Sequence, residues 1–147
     1  MYVSAICRPC LIRLRHQIHL PASIVDKCQS VMLRSNNYAL VPKFVLEMRS
    51  VQLLDLSHNL LSALPHAFGN LTNIRTLNLC NNKFVAWPAT TFAQTGITML
   101  NLSQNKLEMI PREVGLFHTV LKSLNLSQNC IVNLPLAQSI LTFVVSL

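Results

Sequence analysis

One asparagine, recurring at a nearly fixed interval, constrains this chain more than any other feature. Asn36, Asn59, Asn82, Asn105 and Asn129 are separated by steps of 23, 23, 23 and 24 residues. Six places after each stands a proline: Pro42, Pro65, Pro88, Pro111 and Pro135. Upstream of each asparagine runs a short leucine alternation. It reads Val51-Gln-Leu-Leu54-Asp-Leu56-Ser-His-Asn59 in one copy and Ile97-Thr-Met-Leu100-Asn-Leu102-Ser-Gln-Asn105 in another. Chance does not supply five coincident registers of Asn and Pro, so the chain is an array of like units.

Each position has a physical reading. Leu-x-Leu is a strand of three residues whose alternate side chains point to one side. A single strand of that length cannot bury its apolar face, whereas stacked copies share a continuous core. The asparagine falls where the chain leaves the strand, and its amide carries both donors and an acceptor for unpaired backbone groups on adjacent units. The proline stiffens the start of the outer segment, where its missing N–H costs little. Apolar anchors follow it at three and six places: Val45 and Met48, Phe68 and Leu71, Val114 and Phe117. After Pro88 the same places hold Thr91 and Gln94, which predicts an irregular outer segment with Phe92 as the substitute anchor. The additional residue near Thr119–Leu121 belongs in an outer segment as well. Trp87, Phe84 and Cys28 are expected in the core.

The expected fold class is therefore α/β: a solenoid with a parallel sheet on its concave face and short helices or irregular turns on its convex face. Residues 28–135 form five repeats. Residues 1–27, in which Leu20-Pro21-Ala-Ser-Ile24 echoes the Leu-Pro element, form a degenerate cap or partial repeat. Residues 136–147 form an apolar tail, read as a truncated cap.

The pattern L-x-x-L-x-L-x-x-N-x-L, continued by x-x-L-P as in Asn59-Leu-Leu-Ser-Ala-Leu-Pro65, resembles the leucine-rich repeat superfamily over about residues 28–135. The spacing is similar to intracellular members, the Ras–Raf pathway scaffolds and the LAP polarity proteins among them. That resemblance implies a curved solenoid which binds another protein on its concave sheet, as a scaffold or adaptor in intracellular signalling. It implies no enzyme activity and no cofactor.

Alternation assigns the concave columns. The first is Ser30, Leu53, Thr76, Met99 and Ser123; the second is Met32, Asp55, Asn78, Asn101 and Asn125; the third is Arg34, Ser57, Cys80, Ser103 and Ser127. His58, Asn81, Gln104 and Gln128 sit at the sheet edge. The expected partner contacts are Arg34, Leu53, Asp55, Thr76, Asn78, Met99, Asn101, Ser123 and Asn125. Leu53 and Met99 serve as apolar anchors in an otherwise neutral, hydrogen-bonding face.

The net charge is +7, of which +5 falls in residues 1–50, with seven Lys or Arg against two acids. A membrane-surface or RNA-associated function would draw on that basic third, yet no aromatic in the concave columns is placed to stack on bases. Nucleic acid is accordingly disfavoured as a partner. A truncated product without separate function is the third reading. Asp55, Ser57 and His58 have the residue types of a hydrolytic triad, but they belong to repeating surface columns. Cys7-x-x-Cys10 with His16 and His19 lacks the spacing of a zinc finger, so no metal is expected. The five cysteines are an odd number without a capping cluster, which fits a reducing, cytoplasmic location. No run of about 18 apolar residues marks a membrane span.

Overall fold

The computed structural model describes residues 11–13, 27–93, 96–117, 120–132 and 144–146, with side chains over 27–91, 96–114 and 120–132. Among the described residues seven three-residue strands form one parallel sheet in chain order: β1 (Leu11–Arg13), β2 (Ser30–Met32), β3 (Leu53–Asp55), β4 (Thr76–Asn78), β5 (Met99–Asn101), β6 (Ser123–Asn125) and β7 (Val144–Ser146). The sheet thus extends by one strand on either side of the five repeats read from the asparagine register. Register is in phase throughout: Leu54 faces Leu77, Leu77 faces Leu100, and Leu100 faces Leu124. A parallel pair requires a crossover, and between β2 and β6 each repeat supplies one through its outer segment.

That outer segment is α1 (Lys43–Glu47) in the first repeat. In the next three it is a 3-10 helix: η1 (His66–Asn70), η2 (Ala89–Ala93) and η3 (Arg112–Phe117). Proline starts each one the same way. Its carbonyl accepts the N–H three residues on: Val45 to Pro42, Phe68 to Pro65, Thr91 to Pro88, Val114 to Pro111, at 2.9–3.1 Å. The three-residue steps continue, with Leu71 N–H to the Phe68 carbonyl and Ile74 N–H to the Leu71 carbonyl. At 3.0 residues per turn, side chains three apart eclipse. This puts Phe68, Leu71 and Ile74 on one face, and all three are fully buried. The anchor spacing in the sequence is the 3-10 period.

Thr91 occupies such an anchor position and is buried despite its hydroxyl. The hydroxyl donates to the Pro88 carbonyl (2.8 Å) and accepts from the Trp87 indole N–H (3.1 Å). A polar group buried with both roles filled carries no desolvation penalty of the unpaired kind. Trp87 and Phe84 are core residues, as is Cys28. The Phe92 side chain, Gln94, Thr119 and the Phe117 side chain lie outside the described residues, as do Cys7, Cys10, His16, His19 and the Leu20–Ile24 element.

The core is one continuous column of leucine, isoleucine, valine and phenylalanine between sheet and outer segments. The chain is also closed at the strand exits. Asn59 donates through Nδ2 to the carbonyls of Leu33, Leu56 and Ser57 (2.9–3.1 Å) and accepts at Oδ1 from the N–H groups of Asn36 and Tyr38. Asn82, Asn105 and Asn129 repeat the arrangement one unit further each time. Asn105, for example, bridges Leu79, Leu102 and Ser103 carbonyls and the Phe84 N–H. Each amide therefore bonds its own repeat and the preceding one. Immediately before each of these asparagines the backbone turns left-handed, with φ of 52–59° at Ser35, His58, Asn81, Gln104 and Gln128. Non-glycine residues adopt that region at a cost of about 1 kcal/mol or more, so the ladder must hold it in place.

Candidate protein interface

The first column lies along the sheet as Ser30, Leu53, Thr76, Met99 and Ser123, paired in register across β2–β6. All are at least partly exposed, and Met99 is the most open at 51%. Thr76 thus separates the two apolar members of the column, Leu53 and Met99.

The second column behaves as a backbone cap. The side-chain oxygens of Asp55, Asn78, Asn101 and Asn125 each accept the N–H two residues later, at 2.9–3.1 Å. Ser103 and Ser127 hydroxyls donate to the same oxygens at 2.7 and 2.8 Å. These are Asx turns that end each strand after three residues. Their consequence for binding is directional. With Oδ1 turned to its own chain, the amide nitrogens of Asn78, Asn101 and Asn125 stand on the opposite side of each group. No hydrogen bond occupies them among the described residues. Three adjacent strands therefore present a file of amide donors, headed by the Asp55 carboxylate.

The third column does not stay on the surface. Ser57 and Ser103 are buried, Cys80 and Ser127 half-buried, and Arg34 alone is exposed. Strict alternation would have kept all five outward. The strand has already ended at the Asx turn, so the chain is bending into the ladder when it reaches them. Cys80 donates weakly to Oε1 of the Gln104 side chain at 3.9 Å.

At the sheet edge Arg34 Nη2 lies 3.1 Å from His58 Nε2, and the Asn81 amide lies 3.0 Å from His58 Nδ1. A guanidinium only donates, so Nε2 accepts and a neutral His58 carries its proton on Nδ1. The Asn81 atom placed 3.0 Å from Nδ1 is its side-chain nitrogen, so the amide must turn its oxygen toward that proton for this contact to be a hydrogen bond. The geometry dissolves the triad suggested by residue types. His58 is engaged by Arg34 and Asn81, while the Ser57 hydroxyl is buried without a hydrogen-bond partner among the described residues. Nucleophile and base are not paired.

Among the described residues no group of three or more His, Cys, Asp or Glu is placed to hold a metal, and no helix is long and apolar enough to cross a membrane. The Asx turns were the feature that sequence reading missed. Their signal was present as the recurring pair Asp55-Leu-Ser57, Asn78-Leu-Cys80, Asn101-Leu-Ser103 and Asn125-Leu-Ser127, with a short acceptor two places before an unpaired N–H.

Comparisons with known proteins agree with this architecture. Residues 27–84 match the leucine rich repeat family model. The leucine-rich repeat protein LIC12759 of Leptospira interrogans has a similar structure, with a TM-score of 0.64 and 24% identity, covering 84% of this chain and 37% of that one. The leucine-rich repeat domain of APL1B is similar with a TM-score of 0.65 and 24% identity, covering 79% of this chain and 35% of that one. The chain thus spans little more than a third of either neighbour. A comparison with curated proteins gives no match. Domains of this kind are generally protein–protein interaction modules. Register, backbone and comparisons converge on a leucine-rich repeat fold, a solenoid built from stacked strand-and-turn units.

Proposed function

We propose that this domain binds another protein on its concave sheet and acts as a scaffold or adaptor module in intracellular signalling, in the cytoplasm. The observation that carries the reading is the pairing of two surface files. Leu53, Thr76 and Met99 offer apolar contact, and beside them Asn78, Asn101 and Asn125 offer amide donors. A partner that seats an apolar side chain against Leu53 or Met99 and brings backbone carbonyls or carboxylates to the amides satisfies both. Among the described residues the free thiols of Cys80 and Cys130 suit a reducing compartment.

The test is quantitative affinity capture with the full chain and a Leu53→Ser, Asp55→Ser, Met99→Ser variant, compared at matched melting temperature. Leu53 and Met99 are partly exposed, and a serine at position 55 retains an oxygen for the Ser57 N–H that Asp55 caps, so the variant is expected to keep its fold. The proposal expects the captured partners to fall about tenfold in the variant, the equivalent of about 1.4 kcal/mol. Undiminished capture by the variant removes the concave face from consideration.

A further inference from the structure

The residues that lead into the strands form an edge of the sheet distinct from its concave face. One place before the in-register strands β2–β6 stand Gln29, Gln52, Arg75, Thr98 and Lys122. Two further bases enter the same edge, Lys27 three places before β2 and Arg49 four places before β3. All four bases are exposed. Among the described residues none of them has an ion-pair partner, since the ion pair there joins Arg112 to Glu113. The acids lie elsewhere: Asp55, Glu108 and Glu113 at or beyond the strand ends and Glu47 in α1, while Asp26 is outside the described residues.

This edge is held in place from one repeat to the next. The Asn73 amide donates to the Arg49 carbonyl (2.8 Å), and the Thr98 hydroxyl donates to the Arg75 carbonyl (3.1 Å). Gly96 adds a second device. A Cβ there would overlap the Arg75 guanidinium, so the missing side chain lets that guanidinium lie across the entry of the following repeat. Its charge is thereby carried from β4 toward Lys122, which precedes β6. Like charges gathered on one edge repel, and an anion set against both relieves the repulsion. From β2 to β6 the edge spans four strand spacings, about 19 Å, the length of an extended segment of about six residues. Guanidinium groups take carboxylates through two parallel hydrogen bonds. No aromatic stands among the described residues of the edge to stack on a base, which counts against a single-stranded nucleic acid. The edge borders the first concave column, so a protein seated on Leu53 and Met99 reaches it directly. We infer that the strand-entry edge binds an acidic segment of a protein partner, its carboxylates set against Arg49, Arg75 and Lys122. For the partner's identity this rests on the concave-face reading; the anion site itself stands apart from it.

Fluorescence anisotropy on the full chain tests the inference with a labelled peptide of about eight glutamates, about 26 Å when extended. Its glutamine counterpart and an oligouridylate of equal charge are the comparisons. The glutamate peptide should bind at least about tenfold more tightly than either. Arg49→Gln, Arg75→Gln and Lys122→Gln together should weaken it about tenfold, whereas Lys83→Gln, Lys106→Gln and Arg112→Gln, which remove the same charge elsewhere, should change it less than about twofold. Gly96→Ala displaces the Arg75 guanidinium at constant net charge and should weaken binding about threefold, which diffuse attraction to a basic chain does not produce. Leu53→Ser with Met99→Ser should leave the affinity within about twofold, so failure of the concave reading and failure of this one are told apart. Circular dichroism melts verify that each variant is folded. Equal losses from the two triple variants, unchanged binding by Gly96→Ala, or oligouridylate bound as tightly as the glutamate peptide would overturn it.

Discussion

Asn105 shows how much one side chain holds in this molecule. Its Nδ2 reaches three carbonyls, from Leu79, Leu102 and Ser103, and its Oδ1 accepts from Phe84, with the whole group buried. Truncation strands several buried backbone groups at once, at about 1–3 kcal/mol each. Asn105→Ala should therefore destabilise by about 3 kcal/mol or more in chemical denaturation. Asn105→Asp is nearly isosteric yet places a carboxylate against three carbonyl oxygens. That carboxyl resists ionisation in the folded state, so its folded pKa lies above the unfolded value of about 3.9. The stability of this variant relative to wild type is best below that pH and declines as pH rises through the folded value. A variant as stable as wild type at pH 7 would contradict the ladder. Tyr38 makes the opposite point. Its hydroxyl is buried with no partner among the described residues, and desolvation raises the phenol above its usual range. The folded pKa again exceeds the unfolded one, so stability from this group is present below about pH 10 and lost above it. Tyr38→Phe should leave the neutral-pH melting point unchanged or raise it slightly, and should remove that alkaline loss.

At the level of elements, the outer segments illustrate what the sequence made legible and what it did not. The anchors three and six places after proline could be read because 3-10 geometry repeats every three residues, and Val45, Met48, Phe68, Leu71 and Val114 are all buried. Thr91 broke the pattern on paper. Its burial depends on a hydrogen bond with Trp87, a partner four residues away that no hydrophobic periodicity encodes. Thr91→Val removes the indole's acceptor at constant volume and should cost about 1–3 kcal/mol, whereas adding Trp87→Phe should recover much of that loss. A double-mutant cycle with no coupling between the two positions would contradict the pairing. The concave columns were legible for the three residues of each strand. They failed one step later, at Ser57 and Ser103, because the Asx turns stop the alternation. Side-chain capping of the backbone is a local event that competes with strand geometry, and period-two reasoning does not contain it.

Taken whole, the molecule is a one-dimensional stack in which each repeat touches its neighbours, so strain or substitution in one unit is felt mainly in the next. The sheet carries neutral donors beside Leu53 and Met99, and +5 of the net charge of +7 falls in residues 1–50, so the charge coexists with a nearly uncharged concave face. The solenoid was evident from the Asn and Pro registers because a stack repeats its constraints. The most direct test of the central claim places a photo-cross-linking amino acid at Met99 in one variant and at the exposed convex residue His66 in another, each in the full chain expressed in cells. Binding on the concave sheet predicts a discrete cross-linked protein from position 99 and none of that mass from position 66. The same adduct from both positions, or from position 66 alone, would contradict it.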